Sequence, residues 1–137
     1  MANVREPQHV FVYGTLRQEG TRPLMHLFPH ATPVGAATGL GYLFDLGAYP
    51  RLILDPSGSV VVGEIYTVDQ EIMLALDAIE GVNAEEPSNG YYYRRRVDAQ
   101  LLTGETEWCW IYECNANKYK LDYPIVHLIN GLMKKPS

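Results

Sequence analysis

The stretch HVFVYGTLRQEG, residues 9–20, builds a strand and then stops it. Val10, Phe11, Val12 and Tyr13 form an unbroken apolar run, long enough for a buried strand and too short for a core helix. Gly14 and Thr15 end the run, and a polar tail follows. A glycine there permits a tight turn, and a threonine can hydrogen-bond its local backbone. The same turn leaves backbone N–H groups free to meet a carboxylate. Both readings of Tyr13-Gly14-Thr15-Leu16 stand at this point.

Outward from that strand, the pattern is mostly β. Residues 23–27 suit a helical turn that Pro29 ends. Residues 31–54 carry Gly35, Gly39, Gly41 and Gly47 among small and β-branched side chains, which predicts bent or bulged strands. Asp55-Pro56-Ser57-Gly58 has tight-turn chemistry, and residues 60–68 read as the next strand. Residues 69–80 form the one long helix, with Asp69 as N-cap and Gly81 as its stop. After a polar segment, 82–90, residues 91–102 and 106–112 read as strands joined by a hairpin at Thr103-Gly104-Glu105. Trp108, Trp110 and Tyr112 share one face of the last strand, Cys109 and Ile111 the other. An aromatic face of this kind is more often core than a ligand platform. The tail over 124–132 reads as helical or irregular. The prediction is one α+β domain.

Bulk properties narrow the function. The chain has 137 residues, 47% hydrophobic and 20% charged, with net charge −5; that suits one soluble globular domain. Arg94-Arg95-Arg96 is its one basic cluster, and strand alternation splits it between two faces, so no nucleic-acid partner is expected. No apolar stretch reaches the roughly 18–20 residues that cross a bilayer, so no membrane partner is expected either. The N-terminus MANVREPQ has no hydrophobic signal core, and Cys109 and Cys114 build no disulfide framework. The expectation is a cytoplasmic protein with reduced thiols. His9, His26, His30 and His127 are scattered, without HExxH or paired-cysteine spacing, so no metal site is expected. Nucleophile-elbow, P-loop and dinucleotide signatures are also missing from the sequence.

One helix residue breaks the pattern. With about 100° per residue and Ile72 at zero, Leu76 falls near 40°, Met73 near 100° and Ile79 near 340°. Glu80 falls near 80°, on that same apolar stripe. Burial and the partial negative charge of the helix C-terminus would both favour its neutral form, which suits a general acid/base. The competing reading is a helix-end glutamate that snorkels to water or pairs with Arg94, Arg95 or Arg96.

VFVYGTLR at 10–17, LDAIEGV at 76–82 and YYYRRRV at 91–97 together resemble the γ-glutamylcyclotransferase-like family, in its γ-glutamylamine cyclotransferase type. Tyr49-Pro50 and the GEIYTV strand at 63–68 also fit the family pattern. The resemblance implies a compact mixed β-barrel with a few flanking helices. It implies a single domain over 1–137, with a core at about 9–112 and a C-terminal extension over 113–137. Glu80 would be the catalytic glutamate. Tyr13, Gly14, Thr15 and Leu16 would hold the α-amino acid end of a γ-glutamyl group, largely through backbone contacts. The partner is then a small-molecule γ-glutamyl substrate. Attack of its α-amine on the γ-carbonyl gives 5-oxoproline and a free amine, with no cofactor required.

Residues 82–90, which include Glu85-Glu86 and a Pro-Ser-Asn-Gly turn, depart from the family pattern and read as either a lid or a surface loop. Two other functions share these residues. One is a tailoring cyclase that removes a γ-glutamyl protecting group during biosynthesis. The other is a non-catalytic module that binds a small metabolite.

Overall fold

The computed structural model describes residues 7–13, 24–45, 50–118, 127–129 and 132–134. The strands are β1 (Gln8–Val12), β2 (Thr32–Asp45), β3 (Pro50–Leu54), β4 (Ser59–Val68), β5 (Tyr92–Leu101), β6 (Thr106–Cys114), β7 (His127–Ile129) and β8 (Leu132–Lys134). Among the described residues two α-helices are interspersed, the short α1 (Leu24–Leu27) and the longer α2 (Gln70–Glu80).

Six strands run in the order β3-β2-β4-β1-β6-β5, and β2 also pairs with β5. That last pairing closes β2, β4, β1, β6 and β5 into a five-stranded barrel, with β3 attached to the outer edge of β2. The β1–β6 pair is parallel, with Val10 opposite Trp110. The other pairs are antiparallel, so the barrel is mixed.

Period-two alternation divides the apolar residues into two clusters. Phe11, Val61, Ile65, Ala99, Cys109 and Ile111 pack together inside the barrel. Val10, Val12, Tyr66, Val68, Tyr112 and Cys114 point the other way and meet Ile72, Met73 and Leu76 of α2. Helix α2 therefore lies against the outer wall, where each of its three buried side chains contributes about 1.5–3 kcal/mol of gross burial. Gly63 makes room in the lumen: a Cβ there would meet the Val12 carbonyl oxygen and a Phe11 ring carbon at 2.6 Å. The aromatic face of β6 is graded by this cover, since Tyr112 is buried while Trp108 is 53% exposed.

The turns follow their local chemistry. Asp55 Oδ1 accepts from the Ser57 N–H and hydroxyl at 2.8 and 2.7 Å, and those bonds hold its carboxyl below the usual range. At the β5–β6 hairpin Gly104 takes φ 97°, and Leu101 N–H donates to the Glu105 carbonyl.

Two expectations need correction. The tail is not helical where it is described: β7 and β8 pair antiparallel, Leu128 opposite Met133. The sequence between those strands is Asn130-Gly131, the dipeptide that most favours a two-residue hairpin connection. Ile79 is not on the buried stripe, being 40% exposed. The buried residues Ile72, Met73 and Leu76 centre the core-facing direction near about 47°, which leaves Ile79 at the rim and brings Glu80 nearer the core.

Candidate active site

The C-terminal end of α2 is rigidly built. Asp69 Oδ1 accepts the Ile72 N–H at 2.8 Å to start the helix. At its end Gly81 adopts φ 72°, ψ 38°, a left-handed conformation that suits glycine. Gly81 N–H donates to Ala78 O at 3.2 Å and Val82 N–H to Asp77 O at 2.9 Å, the paired bonds of a Schellman motif. The Gly81 carbonyl then accepts the Tyr91 N–H at 2.8 Å, tying the helix end to the approach to β5. This cap fixes the direction of Glu80, the last helical residue, which is half-buried. Gly81→Ala forces a side chain into left-handed backbone and places its Cβ 3.0 Å from the Tyr91 ring. The expected cost is about 1–3 kcal/mol, measurable by urea unfolding.

Three phenols gather around the charge of Glu80. Tyr13 donates its O–H to the Tyr112 carbonyl at 2.6 Å. Tyr112 donates its own O–H to Asp77 Oδ1 at 2.7 Å, and Asp77 Oδ2 lies 3.3 Å from Arg94 Nη1. Arg51 Nη1 donates to the Tyr92 hydroxyl at 2.6 Å. Burial pushes all three phenols above their ordinary range, and the Glu80 carboxylate adds to the effect on each. Tyr13 is raised further by neighbouring Tyr92, and Tyr112 by its bond to Asp77. The Arg51 charge opposes the rise at Tyr92 without cancelling it. At neutral pH all three are therefore intact O–H groups.

The basic cluster at 94–96 is committed elsewhere. Arg94 pairs with Asp77, Arg95 with Glu113 at 3.1 Å, and Arg96 reaches Gln8. Arg94 and Arg96 stack on Trp110 at 4.5 and 4.0 Å, while Arg95 lies over Tyr93 on the opposite face. Among the described residues no bond joins them to Glu80.

Of the residues singled out in the sequence, Tyr13 and Glu80 are described and share one electrostatic neighbourhood. Gly14, Thr15 and Leu16 lie outside the described residues. The Tyr13 ring packs against the barrel interior and its hydroxyl joins β1 to β6, so its side chain is a cross-strand tie. Four neighbours were missed: Arg51, Asp77, Tyr92 and Tyr112. Asp77 carried a signal, because it precedes Glu80 by three residues and so falls on the same helix flank.

Residues 82–90 are fastened down. Asn83 Oδ1 accepts from the Glu85 and Glu86 N–H groups, and a 3-10 turn follows over Pro87–Asn89. Asn115, 1% exposed, donates its amide to Ser88 O at 3.0 Å and Gly90 O at 2.8 Å. The segment walls a cavity of about 300 Å³, shared with Asp77, Tyr92, Arg94 and Trp110. Asn115→Ala strands two carbonyls, one of them in a buried bond, and is expected to destabilise by about 1–3 kcal/mol. Faster amide exchange at residues 88–91 would accompany the loss. Among the described residues no three His, Cys, Asp or Glu side chains gather as metal ligands, and no helix is long and apolar enough to cross a membrane.

The sequence pattern of the family described as gamma-glutamyl cyclotransferase, AIG2-like, matches residues 10–128. A Vibrio cholerae protein provisionally named a gamma-glutamylcyclotransferase is 38% identical over 110 residues, covering 77% of this chain and 84% of its own. The crystal structure of an AIG2-like protein from Mus musculus superposes with a TM-score of 0.66 at 28% identity, covering 85% of each chain. YkqA from Bacillus subtilis shares the fold, with a TM-score of 0.62 at 24% identity over 80% of this chain; the match spans 36% of YkqA.

Proposed function

The chain belongs to the gamma-glutamyl cyclotransferase, AIG2-like family, and from that premise we propose that it converts a γ-glutamyl amine or amide into 5-oxoproline and the free amine. What supports the reading is the position of Glu80. It is a half-buried carboxylate at a capped helix end, and its charge reaches Tyr13, which immediately precedes Gly14-Thr15-Leu16 in the sequence.

In the proposed cycle the Gly14-Thr15-Leu16 segment holds the α-amino acid end of the substrate through its backbone N–H groups. Glu80, as the carboxylate, takes a proton from the α-ammonium. The freed amine forms a bond to the γ-carbon and closes a five-membered lactam. That first proton passes to solvent; Glu80, a carboxylate again, takes the second proton that the attacking nitrogen sheds in becoming the lactam N–H, and gives it to the departing nitrogen as that C–N bond breaks. Holding the substrate folded supplies proximity, and one carboxyl group serves both proton transfers.

The test is a panel of γ-glutamyl amines and γ-glutamyl peptides, with 5-oxoproline as the product measured. Turnover of at least one substrate is expected. Tight binding with no product across the panel would reassign the chain as a metabolite-binding module.

A further inference from the structure

The three phenols that feel the Glu80 charge differ in what they do with their protons. Tyr13 gives its proton to the Tyr112 carbonyl, and Tyr112 gives its own to Asp77. Tyr92 is 6% exposed and accepts from Arg51 Nη1 at 2.6 Å, yet among the described residues no acceptor takes its O–H. With Arg51 filling an acceptor position, the remaining O–H of Tyr92 is left to donate, which suits a ligand oxygen. The Arg51 N–H also polarises the phenol, since a hydroxyl that accepts a charged hydrogen bond becomes a stronger donor.

We propose that Tyr92 is a catalytic hydrogen-bond donor to the γ-carbonyl oxygen of the substrate, with Arg51 as the positioning residue that orients and strengthens it. The assignment rests on the ring closure proposed above. As the α-amine nitrogen bonds to the γ-carbon, the carbonyl π pair moves onto oxygen. That oxygen accepts a hydrogen bond from Tyr92 and no proton. When the pair returns to re-form C=O, the bond to the leaving nitrogen breaks, and that nitrogen takes its proton from Glu80. The phenol ends the cycle unchanged. A donor in this place must stay protonated throughout, and burial together with the nearby Glu80 charge keeps Tyr92 so.

Tyr92→Phe keeps the ring and removes only the donor. On a substrate turned over by the wild type, its kcat is expected to fall by about 100-fold or more, as for loss of one oxyanion donor. KM is expected to stay within about threefold, because the bond strengthens only as charge develops. Arg51→Met is expected to lower kcat by a smaller factor, and the double variant to be no slower than Tyr92→Phe alone. Such non-additivity marks one shared function, which a purely structural loss would not produce. A Tyr92→Phe protein that melts with the wild type and keeps more than about a third of its kcat overturns the assignment. If that variant does not fold, a ring-fluorinated tyrosine at position 92 donates more strongly and is expected to alter kcat; an unchanged kcat overturns the assignment. A wild type inactive on every γ-glutamyl compound overturns the ring closure and this role with it, a result visible in the wild-type arm alone.

Discussion

Glu80→Gln is expected to lower kcat for 5-oxoproline formation by about 10²–10⁴-fold, the usual range for removing a general acid/base. Glutamine has the same length and shape, so it can hold the same place at the end of α2. It can neither take the proton from the α-ammonium nor return one to the leaving nitrogen. Binding should largely persist, because the proposed anchor is the Gly14-Thr15-Leu16 segment that follows β1 in the sequence. The variant should also melt close to the wild type. Glu80 is half-buried, and losing its negative charge relieves a carboxylate that sits beside a helix C-terminus. Glu80→Asp keeps the chemistry but retracts the carboxylate by one methylene, and a displacement near 1 Å can cost about 10²-fold. Activity of the aspartate variant should therefore fall between wild type and glutamine. Full turnover in Glu80→Gln, read by chromatographic detection of 5-oxoproline, would remove Glu80 from the mechanism.

The parts of this molecule legible in the sequence are those decided locally. Helix α2 announces itself through an acidic cap, an uninterrupted apolar period and a terminal glycine, and the structure places Asp69 and Gly81 in those roles. The turns at Asp55 and Gly104 follow from short-range hydrogen bonding in the same way. Barrel closure is not of this kind. The β2–β5 pair joins Ala37 to Leu101, and the parallel β1–β6 pair joins Val10 to Trp110, contacts that no short window can display. The candidate site shares that property. Arg51, Asp77, Tyr92 and Tyr112 come from four elements, and each looks ordinary in its own segment. Tyr112 read as one more aromatic on a core face, which it is. Its hydroxyl on Asp77 becomes visible only once α2 lies on β6. Periodicity suggested a direction for Glu80, but the role proposed for it came from the family resemblance, because an angle on a helix carries no information about what the carboxylate meets.

The helix that carries Glu80 is held by very few side chains, so Leu76→Ala is expected to cost about 2–5 kcal/mol, the range for emptying a fully buried leucine site. Leu76 is 0% exposed and meets the outer faces of the barrel strands, where its neighbours Ile72 and Met73 already fill their own positions. The barrel wall behind it is a hydrogen-bonded sheet and has little freedom to collapse into the space. Leu74, two residues earlier on the same helix, is 57% exposed, and Leu74→Ala should change stability by no more than about 0.5 kcal/mol. The pair separates packing from helix propensity, since both variants place the same alanine in the same helix. Urea unfolding at equilibrium measures the difference. If the two variants unfold together, α2 is not docked through this face. The direction assigned to Glu80 would then lose its foundation, because the packing that buries Leu76 also sets the facing of the last helical residue.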